Sequence, residues 1–278
     1  MDGRFRGFDL TTTDNGVATI TFNEPERLNG STQATKRDLT ELLQLFQMDD
    51  AVRVVVITGS GRAFCAGDDM TGRPREYGDD VQQLVPDLPR GHADPMSTYE
   101  ALKTMSQAVN VAVRALDKPT IAAINGLAIQ TGLTLALACD FKIASRDARL
   151  GSATLRFGLL PDEGGHALVV QHIGLAAALD FFLRKRIVSA EEALELGLIN
   201  EVVEPDELMP RALELADELA AGPQIAMRML KRSLYNAADS TIAQAFDDIA
   251  ARTAVTDHHP DAREGVTAFR DKRPPKFS

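Results

Sequence analysis

The chain of 278 residues carries a formal net charge of −10, and 44% of its residues are hydrophobic. This apolar fraction is sufficient for a sizeable core. The negative charge argues against general binding to nucleic acids or anionic membranes, which would repel the protein. We therefore expect a globular protein that meets any anionic ligand with local donors.

Neither the cysteines nor the N-terminus indicates secretion. Cys65 and Cys139 stand far apart in apolar contexts without metal-binding spacing, which is typical of reduced, buried thiols. The N-terminus has no uninterrupted apolar region, and no segment is expected to approach the roughly 20 apolar residues that span a bilayer. These features predict a soluble cytoplasmic protein.

The first third of the chain alternates strand and helix patterns. Residues 17–23, VATITFN, are typical of a strand, and residues 32–48 show the spacing of an amphipathic helix. Residues 52–61, VRVVVITGSG, form a β-branched run typical of a strand buried on both faces. This order predicts an α/β architecture.

A polar, Pro- and Gly-rich stretch over residues 71–96 interrupts the alternation and suggests a mobile lid or a locally disordered loop. Residues 97–115 return to helical spacing. A buried run follows from Pro119, then a buried helix in TGLTLALACD and a strand over residues 141–145.

The C-terminal part is predicted to be helical. From Asp206 onward we find helical spacing and no convincing strand. We therefore divide the chain into an α/β core over residues 1–200 and a helical region over residues 201–278. The apolar faces of that region need a partner surface, either the core or another subunit.

Two glycine-containing loops follow predicted buried strands, AFCAGDDM (63–70) and INGLAIQTGLTLALACD (124–140). A strand that turns directly into a helix leaves backbone N–H groups that can hold an anion. Two such loops could form an oxyanion hole. The alternative is that these turns need glycine for steric reasons alone.

Two adjacent carboxylates, Asp162 and Glu163, lie in GLLPDEGG (158–165). A structural interpretation is a helix N-cap, which satisfies N–H groups and complements the helix dipole. A catalytic interpretation is equally open at this point.

The chain closely resembles the crotonase, or enoyl-CoA hydratase/isomerase, family. The resemblance covers nearly the whole chain and rests on six motifs in order: NEPERLNG, AFCAGDDM, INGLAIQTGLTLALACD, GLLPDEGG, SAEEALELGLINEVV and REGVTAFRDKRPPKF. It implies a spiral of ββα units with a helical trimerisation region, assembled as a homotrimer or a dimer of trimers. It also implies acyl-CoA thioester substrates, with coenzyme A as the substrate carrier and no metal or other cofactor.

The resemblance assigns the oxyanion hole to the backbone N–H groups of Asp68 and Thr131. Asp68 and the Gln130-Thr131 pair replace the small residue and the glycines common in the family. Because a carboxylate facing the oxyanion would be unfavourable, we expect Asp68 to face outward or to cap a following helix. The substrate pocket is predicted to include Ala66, Gly67, Asp69, Met70, Gly132, Thr134 and Thr154.

The acid and base positions depart from those of the hydratases. Two glutamates of the hydratases correspond to Thr134 and Thr154, whose hydroxyls neither activate water nor manage a proton readily at neutral pH. Relatives that shift double bonds have a single carboxylate at the position of Asp162. We therefore predict that Asp162 moves a proton from C2 to C4 while the oxyanion hole holds the dienolate.

The surroundings of Asp162 supply further expectations. The apolar Phe157, Leu159 and Leu160 are expected to shield it and raise its pKa. Glu163 is expected to point away and cap a helix over residues 164–172, and is kept as a reserve candidate. His166 is expected on the surface, with a direct role as a second reserve.

Coenzyme A binding is assigned by resemblance to Arg27 and Leu28 and to the terminal Lys272, Arg273 and Lys276. A solvated basic tail is the alternative for the terminal residues. The leading hypothesis is an enoyl-CoA isomerase that converts 3-enoyl-CoA to 2-enoyl-CoA. The alternatives are an enoyl-CoA hydratase with a non-standard acid/base pair and a non-catalytic acyl-CoA-binding oligomer.

Overall fold

The computed structural model describes residues 2–71, 75–88 and 93–278. The strands are β1 (Gly3–Phe5), β2 (Phe8–Thr12), β3 (Val17–Phe22), β4 (Val54–Gly59), β5 (Ala63–Cys65), β6 (Val81–Gln82), β7 (Thr120–Ile124), β8 (Leu127–Ile129), β9 (Phe141–Ser145), β10 (Arg149–Gly151), β11 (Ile187–Ser189) and β12 (Glu201–Val203). The helices are α1 (Gln33–Met48), α2 (Pro95–Ala101), α3 (Gln107–Ala115), α4 (Thr131–Ala138), α5 (Gly165–Leu183), α6 (Ala190–Leu196), α7 (Leu208–Ala220), α8 (Gln224–Asp239), α9 (Ile242–Asp257) and α10 (Pro260–Asp271).

The strands form two sheets. The larger has eight strands in the order β12-β9-β7-β4-β3-β2-β1-β6, and the smaller has four in the order β11-β10-β8-β5. The run from β3 through β4, β7 and β9 to β12 is parallel, while β1, β2 and β3 pair antiparallel. The α/β prediction is therefore confirmed, although most of the short strands escaped the sequence analysis because runs of two or three residues show no measurable periodicity.

The larger sheet is buried on both faces, as the β-branched pattern of β4 predicts. Val55 and Ile57 belong to the main core with α1, α3 and α4, whereas Val54 and Val56 face a second cluster with α7. This alternation follows from the two-residue period of a strand. The first helix of the predicted C-terminal region thus packs directly on the sheet, and the division at residue 200 stays a prediction.

The predicted helices and the cysteines are largely as expected. Helix α1 begins after Thr32, whose side chain accepts a hydrogen bond from the Thr35 N–H. Every residue of α4 is buried. Cys65 and Cys139 are unpaired and buried, and burial raises the pKa of each thiol to about 12.

Helix α5 is the one described segment that approaches the length of a membrane span. Its 19 residues are long and apolar enough, by length and composition alone, to cross a membrane. However, Gly174 has φ 75° and ψ 168°, so the helix is interrupted near its middle. Each half is far shorter than the roughly 20 helical residues that span a bilayer.

The polar stretch over residues 71–96 is more structured than predicted where the structure describes it. β6 pairs with β1, and the N–H groups of Leu84 and Val85 donate to Asp38 Oδ1 at 3.2 Å each. Residues 72–74 and 89–92 of this stretch lie outside the described residues. The described part therefore closes one edge of the larger sheet.

Candidate active site

The two predicted oxyanion loops lie side by side. β5 and β8 pair in parallel, so the loops that follow them leave the smaller sheet at the same edge. A Cβ on Gly132 would lie 2.0 Å from the Cys65 carbonyl oxygen, so only glycine permits this close approach. The fold thus brings Asp68 and Thr131 together, as the resemblance predicts.

Both backbone N–H groups are available to a ligand. Ser31 N donates to Gly67 O at 2.8 Å and Asp69 N to Ser31 O at 2.9 Å, which leaves the Asp68 N–H between them without an acceptor among the described residues. Thr131 is the first residue of α4, where an N–H has no partner within the helix. The two loops can therefore present two donors to one anionic oxygen.

Of the two alternatives expected for Asp68, the helix cap is wrong. No helix follows residues 63–70 within the described part of the next stretch, so Asp68 is not a helix cap. Its carboxylate oxygens lie 2.7 Å and 2.9 Å from Nζ of Lys36, whose side chain is buried. Asp68 Oδ1 also lies 2.6 Å from the Thr131 hydroxyl oxygen. Asp68 is 48% exposed, which agrees with the outward-facing alternative, and a buried cation compensates its charge.

Lys36 was not predicted from the sequence, although a signal was present. It precedes Leu39 and Leu43 by three and seven residues, so it occupies the apolar face of α1. A lysine on a buried helix face requires a partner. Its ammonium also donates to Ser106 Oγ at 2.9 Å.

Gln130 holds the second loop in an uncommon conformation. It has φ 52° and ψ −102°, in a region that residues with a Cβ rarely adopt. Its side chain is fixed at both ends: Ser152 Oγ donates to Gln130 Oε1 at 2.6 Å, and Gln130 Nε2 donates to Glu163 Oε2 at 2.6 Å. These contacts fix the side chain at a position where the resemblance predicts a glycine.

The expectation for Glu163 is wrong. The residue is 3% exposed and does not cap α5 with its side chain. Its carboxyl oxygen Oε1 lies 2.8 Å from the Thr131 hydroxyl oxygen, and its carbonyl accepts from Asn110 Nδ2 at 3.0 Å. Burial raises the pKa of Glu163, and Lys36 counteracts part of this rise. Glu163 therefore points into the site between the two oxyanion loops and α3.

Asp162 is half-buried, and its carboxylate makes no hydrogen bond or ion pair with the residues that the structure describes. Its backbone carbonyl accepts from Gln107 Nε2 at 2.9 Å, which fixes the main chain. The predicted shielding residues Phe157, Leu159 and Leu160 are 63%, 53% and 70% exposed, so that expectation is wrong for a single chain. Gly158, with φ 71°, ends the preceding 3₁₀ turn and sends these side chains toward solvent.

The threonines at the two hydratase positions are both engaged with Gln130. Thr134 Oγ1 donates to the Gln130 carbonyl at 3.0 Å, and Thr154 Oγ1 lies 3.5 Å from Gln130 Oε1. Neither hydroxyl replaces a carboxylate. His166 is exposed, as expected, with Nδ1 2.9 Å from the Pro161 carbonyl oxygen.

The remaining predicted pocket residues line the first loop. Ala66 N donates to Leu28 O at 3.0 Å, and Gly67 has φ 107°. Met70 is largely exposed. Burial opposes ionisation of Asp69, but hydrogen bonds from Thr71, Arg75 and Arg27 together hold its pKa well below the usual range. These ion pairs fasten the first loop to the turn before α1.

The predicted coenzyme A residues fall into two separate groups. Arg27 donates to Asp69 Oδ2 at 2.9 Å beside the first loop, next to Leu28. Lys272, Arg273 and Lys276 are exposed at the end of α10, where Arg273 donates to both carboxylate oxygens of Glu264 at 2.7 Å and 2.9 Å. The structure shows no hydrogen bond or ion pair joining the two groups among the described residues.

Two neighbouring loops that present backbone N–H donors beside adjacent carboxyl groups are the arrangement expected of a crotonase-type enzyme. The enoyl-CoA hydratase/isomerase family model matches residues 12–278, and the chain belongs to this family.

Known relatives agree with this assignment. The chain is 35% identical to the 1,2-epoxyphenylacetyl-CoA isomerase of Escherichia coli K12 over 274 residues, which cover 98% of each protein. It is 30% identical to the crotonyl-CoA hydratase of Syntrophomonas wolfei over 94% of each protein. The crystal structure of an enoyl-CoA hydratase from Bacillus anthracis superposes with a TM-score of 0.87 at 28% identity and covers 98% of this chain and 99% of that one. The protein is thus an enzyme of a family that acts on acyl-CoA thioesters.

Proposed function

We propose that the enzyme isomerises an enoyl-CoA thioester, moving a carbon–carbon double bond from the 3-position to the 2-position. One observation carries the proposal. The two positions of the hydratase carboxylates hold Thr134 and Thr154, both engaged with Gln130, while the adjacent carboxyl groups of Asp162 and Glu163 remain at the site. Isomerisation needs one group that removes and returns a proton, whereas hydration needs two.

Asp162 fits the role of the proton shuttle better than Glu163. Its carboxylate has no hydrogen-bond donor among the described residues, so its lone pairs are available to a C2 proton. Glu163 is held by Gln130 and Thr131. In the proposed mechanism the thioester oxygen binds the N–H groups of Asp68 and Thr131, which stabilise the dienolate. Asp162 takes the proton from C2 and returns it to C4.

The reaction assigned here uses coenzyme A only as the substrate carrier and requires no metal ion or redox cofactor. One relative is named as an isomerase of a ring-bearing CoA thioester, which supports isomerisation of a thioester as the general class of reaction. We assign coenzyme A to Arg27 and Leu28 at the first loop, with Lys272, Arg273 and Lys276 reaching a neighbouring subunit. A cytoplasmic location is part of the same proposal.

A homotrimer or a dimer of trimers would cover the apolar surface beside the site. Leu175, Leu179 and Leu183 form an exposed stripe at four-residue spacing on α5, which begins directly after the Asp162 loop. A second copy of this chain on that surface would remove these three leucines from water. Sedimentation of the wild type and of Leu179→Arg tests this, because the variant should shift toward monomer. A monomeric wild type would refute the assembly.

The test of the activity offers the purified enzyme a 3-enoyl-CoA and, separately, a 2-enoyl-CoA. Absorbance follows the conjugated thioester, and mass spectrometry follows the products. Isomerisation predicts a 2-enoyl product without the mass gain of water. Water addition alone would identify a hydratase with a non-standard pair such as Asp162 with Glu163 or His166. Tight binding without turnover would identify an acyl-CoA-binding oligomer.

A further inference from the structure

The Thr131 hydroxyl lies between two carboxyl groups at hydrogen-bonding distance from both. Its oxygen is 2.6 Å from Asp68 Oδ1 and 2.8 Å from Glu163 Oε1. A hydroxyl carries one proton and can donate to only one acceptor at a time. Two ionised carboxylates would leave one of these contacts without a hydrogen. One of the two carboxyl groups must therefore be protonated and donate to Thr131.

The surroundings decide which carboxyl group holds the proton. Asp68 is half-exposed, and the Lys36 ammonium contacts both of its oxygens, which favours the ionised form. Glu163 is almost fully buried, and the Gln130 amide is the neutral donor to its other oxygen. A buried carboxyl without a direct cation favours the neutral form.

The direction of the neighbouring hydrogen bonds agrees with this assignment. The Ser152 hydroxyl donates to Gln130 Oε1, and the Gln130 amide nitrogen at the other side donates to Glu163 Oε2. Glu163 Oε2 is then the carbonyl oxygen of a carboxylic acid, and Oε1 carries the proton that faces Thr131. Each contact in this series, from Ser152 to Gln130, Gln130 to Glu163, Glu163 to Thr131 and Thr131 to Asp68, then has one donor and one acceptor.

We propose that Glu163 is a neutral carboxylic acid at neutral pH, which donates through Thr131 to the ionised Asp68 and thereby acts as a positioning residue for the Thr131 N–H. The proton neutralises Glu163, and the ammonium of Lys36 compensates the charge of Asp68. Asp162 then carries the remaining negative charge.

The consequence for catalysis rests on the proposed isomerase function. An ionised Glu163 would place a second uncompensated charge beside the developing oxyanion and oppose it. The groups that face Glu163 are Lys36 from α1, Cys65 from β5, Asp68 from the first loop and Asp162 from its own loop. Burial and the two aspartates raise the pKa of Glu163 and Lys36 lowers it, while Cys65 stays a thiol. Activity should therefore fall at alkaline pH as Glu163 ionises.

The primary test needs no substrate, so its failure is distinguishable from a failure of the proposed function. Infrared difference spectra of wild type minus Glu163→Gln at neutral pH should show the carbonyl band of one protonated carboxyl group. Glu218 is an exposed glutamate and provides the control. The difference spectrum of wild type minus Glu218→Gln should show carboxylate bands instead. Carboxylate bands in the Glu163→Gln difference would overturn the proposal.

A titration of the wild type alone keeps the proposal testable if the variant does not fold. The protonated-carboxyl band should persist at neutral pH, where exposed carboxyl groups are ionised, and disappear at alkaline pH. Its absence at neutral pH would overturn the proposal.

Kinetics separate positioning from a merely structural role. Glutamine reproduces a neutral acid, since its amide can donate to Thr131 and its oxygen can accept from Gln130. We expect Glu163→Gln to lower kcat only a few-fold and to abolish the alkaline loss of activity, whereas Glu163→Ala should lower kcat at least tenfold with little change in KM. Equal losses in both variants, with an unchanged alkaline profile, would contradict the assignment.

Discussion

The ammonium of Lys36 lies 2.7 Å from a carboxylate oxygen of Asp68, although the two residues belong to different elements and are 32 positions apart. This pair explains how a carboxylate can occupy the first oxyanion loop. Lys36 provides a positive charge beside Asp68, so the loop can offer its N–H to a developing oxyanion without a net negative charge beside it.

Removal of Lys36 should therefore impair catalysis through charge. We expect Lys36→Met to lower kcat roughly tenfold, equivalent to about 1.4 kcal/mol of transition-state stabilisation. Lys36→Met combined with Asp68→Asn should recover most of this loss, because the uncompensated carboxylate is then absent.

Steady-state kinetics on a 3-enoyl-CoA measure kcat for the wild type, the two single variants and the double variant. Lys103→Met, which alters an exposed lysine, is the matched control. Additive losses in the double variant would show that Lys36 and Asp68 act independently.

Replacement of the proposed proton shuttle should abolish turnover with little effect on the fold. Because the Asp162 carboxylate makes no hydrogen bond within the described residues, Asp162→Asn should unfold at nearly the wild-type temperature. Its kcat should fall by about 10²–10⁴, the usual contribution of a general acid or base. Asp206→Asn, at an exposed position, is the control. Undiminished isomerisation by Asp162→Asn would show that another group moves the proton.

Two substitutions at Gln130 should differ in stability because of its positive φ. Both Gln130→Ala and Gln130→Gly lose the contacts with Ser152 and Glu163. Alanine retains a Cβ at φ 52°, so we expect it to be less stable than glycine by about 1 kcal/mol. Urea unfolding of both variants measures the difference. Equal stabilities would mean that the backbone relaxes away from this conformation.

The ion pairs of Asp69 should make the first loop sensitive to acid. The pKa of Asp69 is held well below its usual value of 3.8, so its contribution to stability is present above pH 3.8 and is lost as the pH falls further. We expect Asp69→Asn to reduce the free energy of unfolding by about 1–3 kcal/mol at neutral pH.

The difference between wild type and Asp69→Asn should shrink as the pH falls below 3.8. Urea unfolding across that range provides the measurement. A difference that is constant with pH would indicate lost packing rather than lost charge.

The sequence was sufficient to predict the alternation of strands and helices, the family and the adjacent carboxylates of the Asp162 loop. These features depend on local patterns: a β-branched run such as β4, helical spacing in α1, and glycines where loops approach closely. The departures at Asp68 and Gln130 were also visible, because each replaces a residue type that the motif commonly has.

The contacts among the polar side chains could not be predicted before the chain was seen folded. Lys36 lies on helix α1, Ser152 directly follows strand β10, and Glu163 lies in the turn before α5. No spacing rule relates the three positions. The sequence therefore assigned Glu163 to a helix cap, whereas packing of α3 and both oxyanion loops around it buried the carboxyl group. Burial and long-range partners set the charge of a side chain, and both depend on contacts between distant parts of the chain.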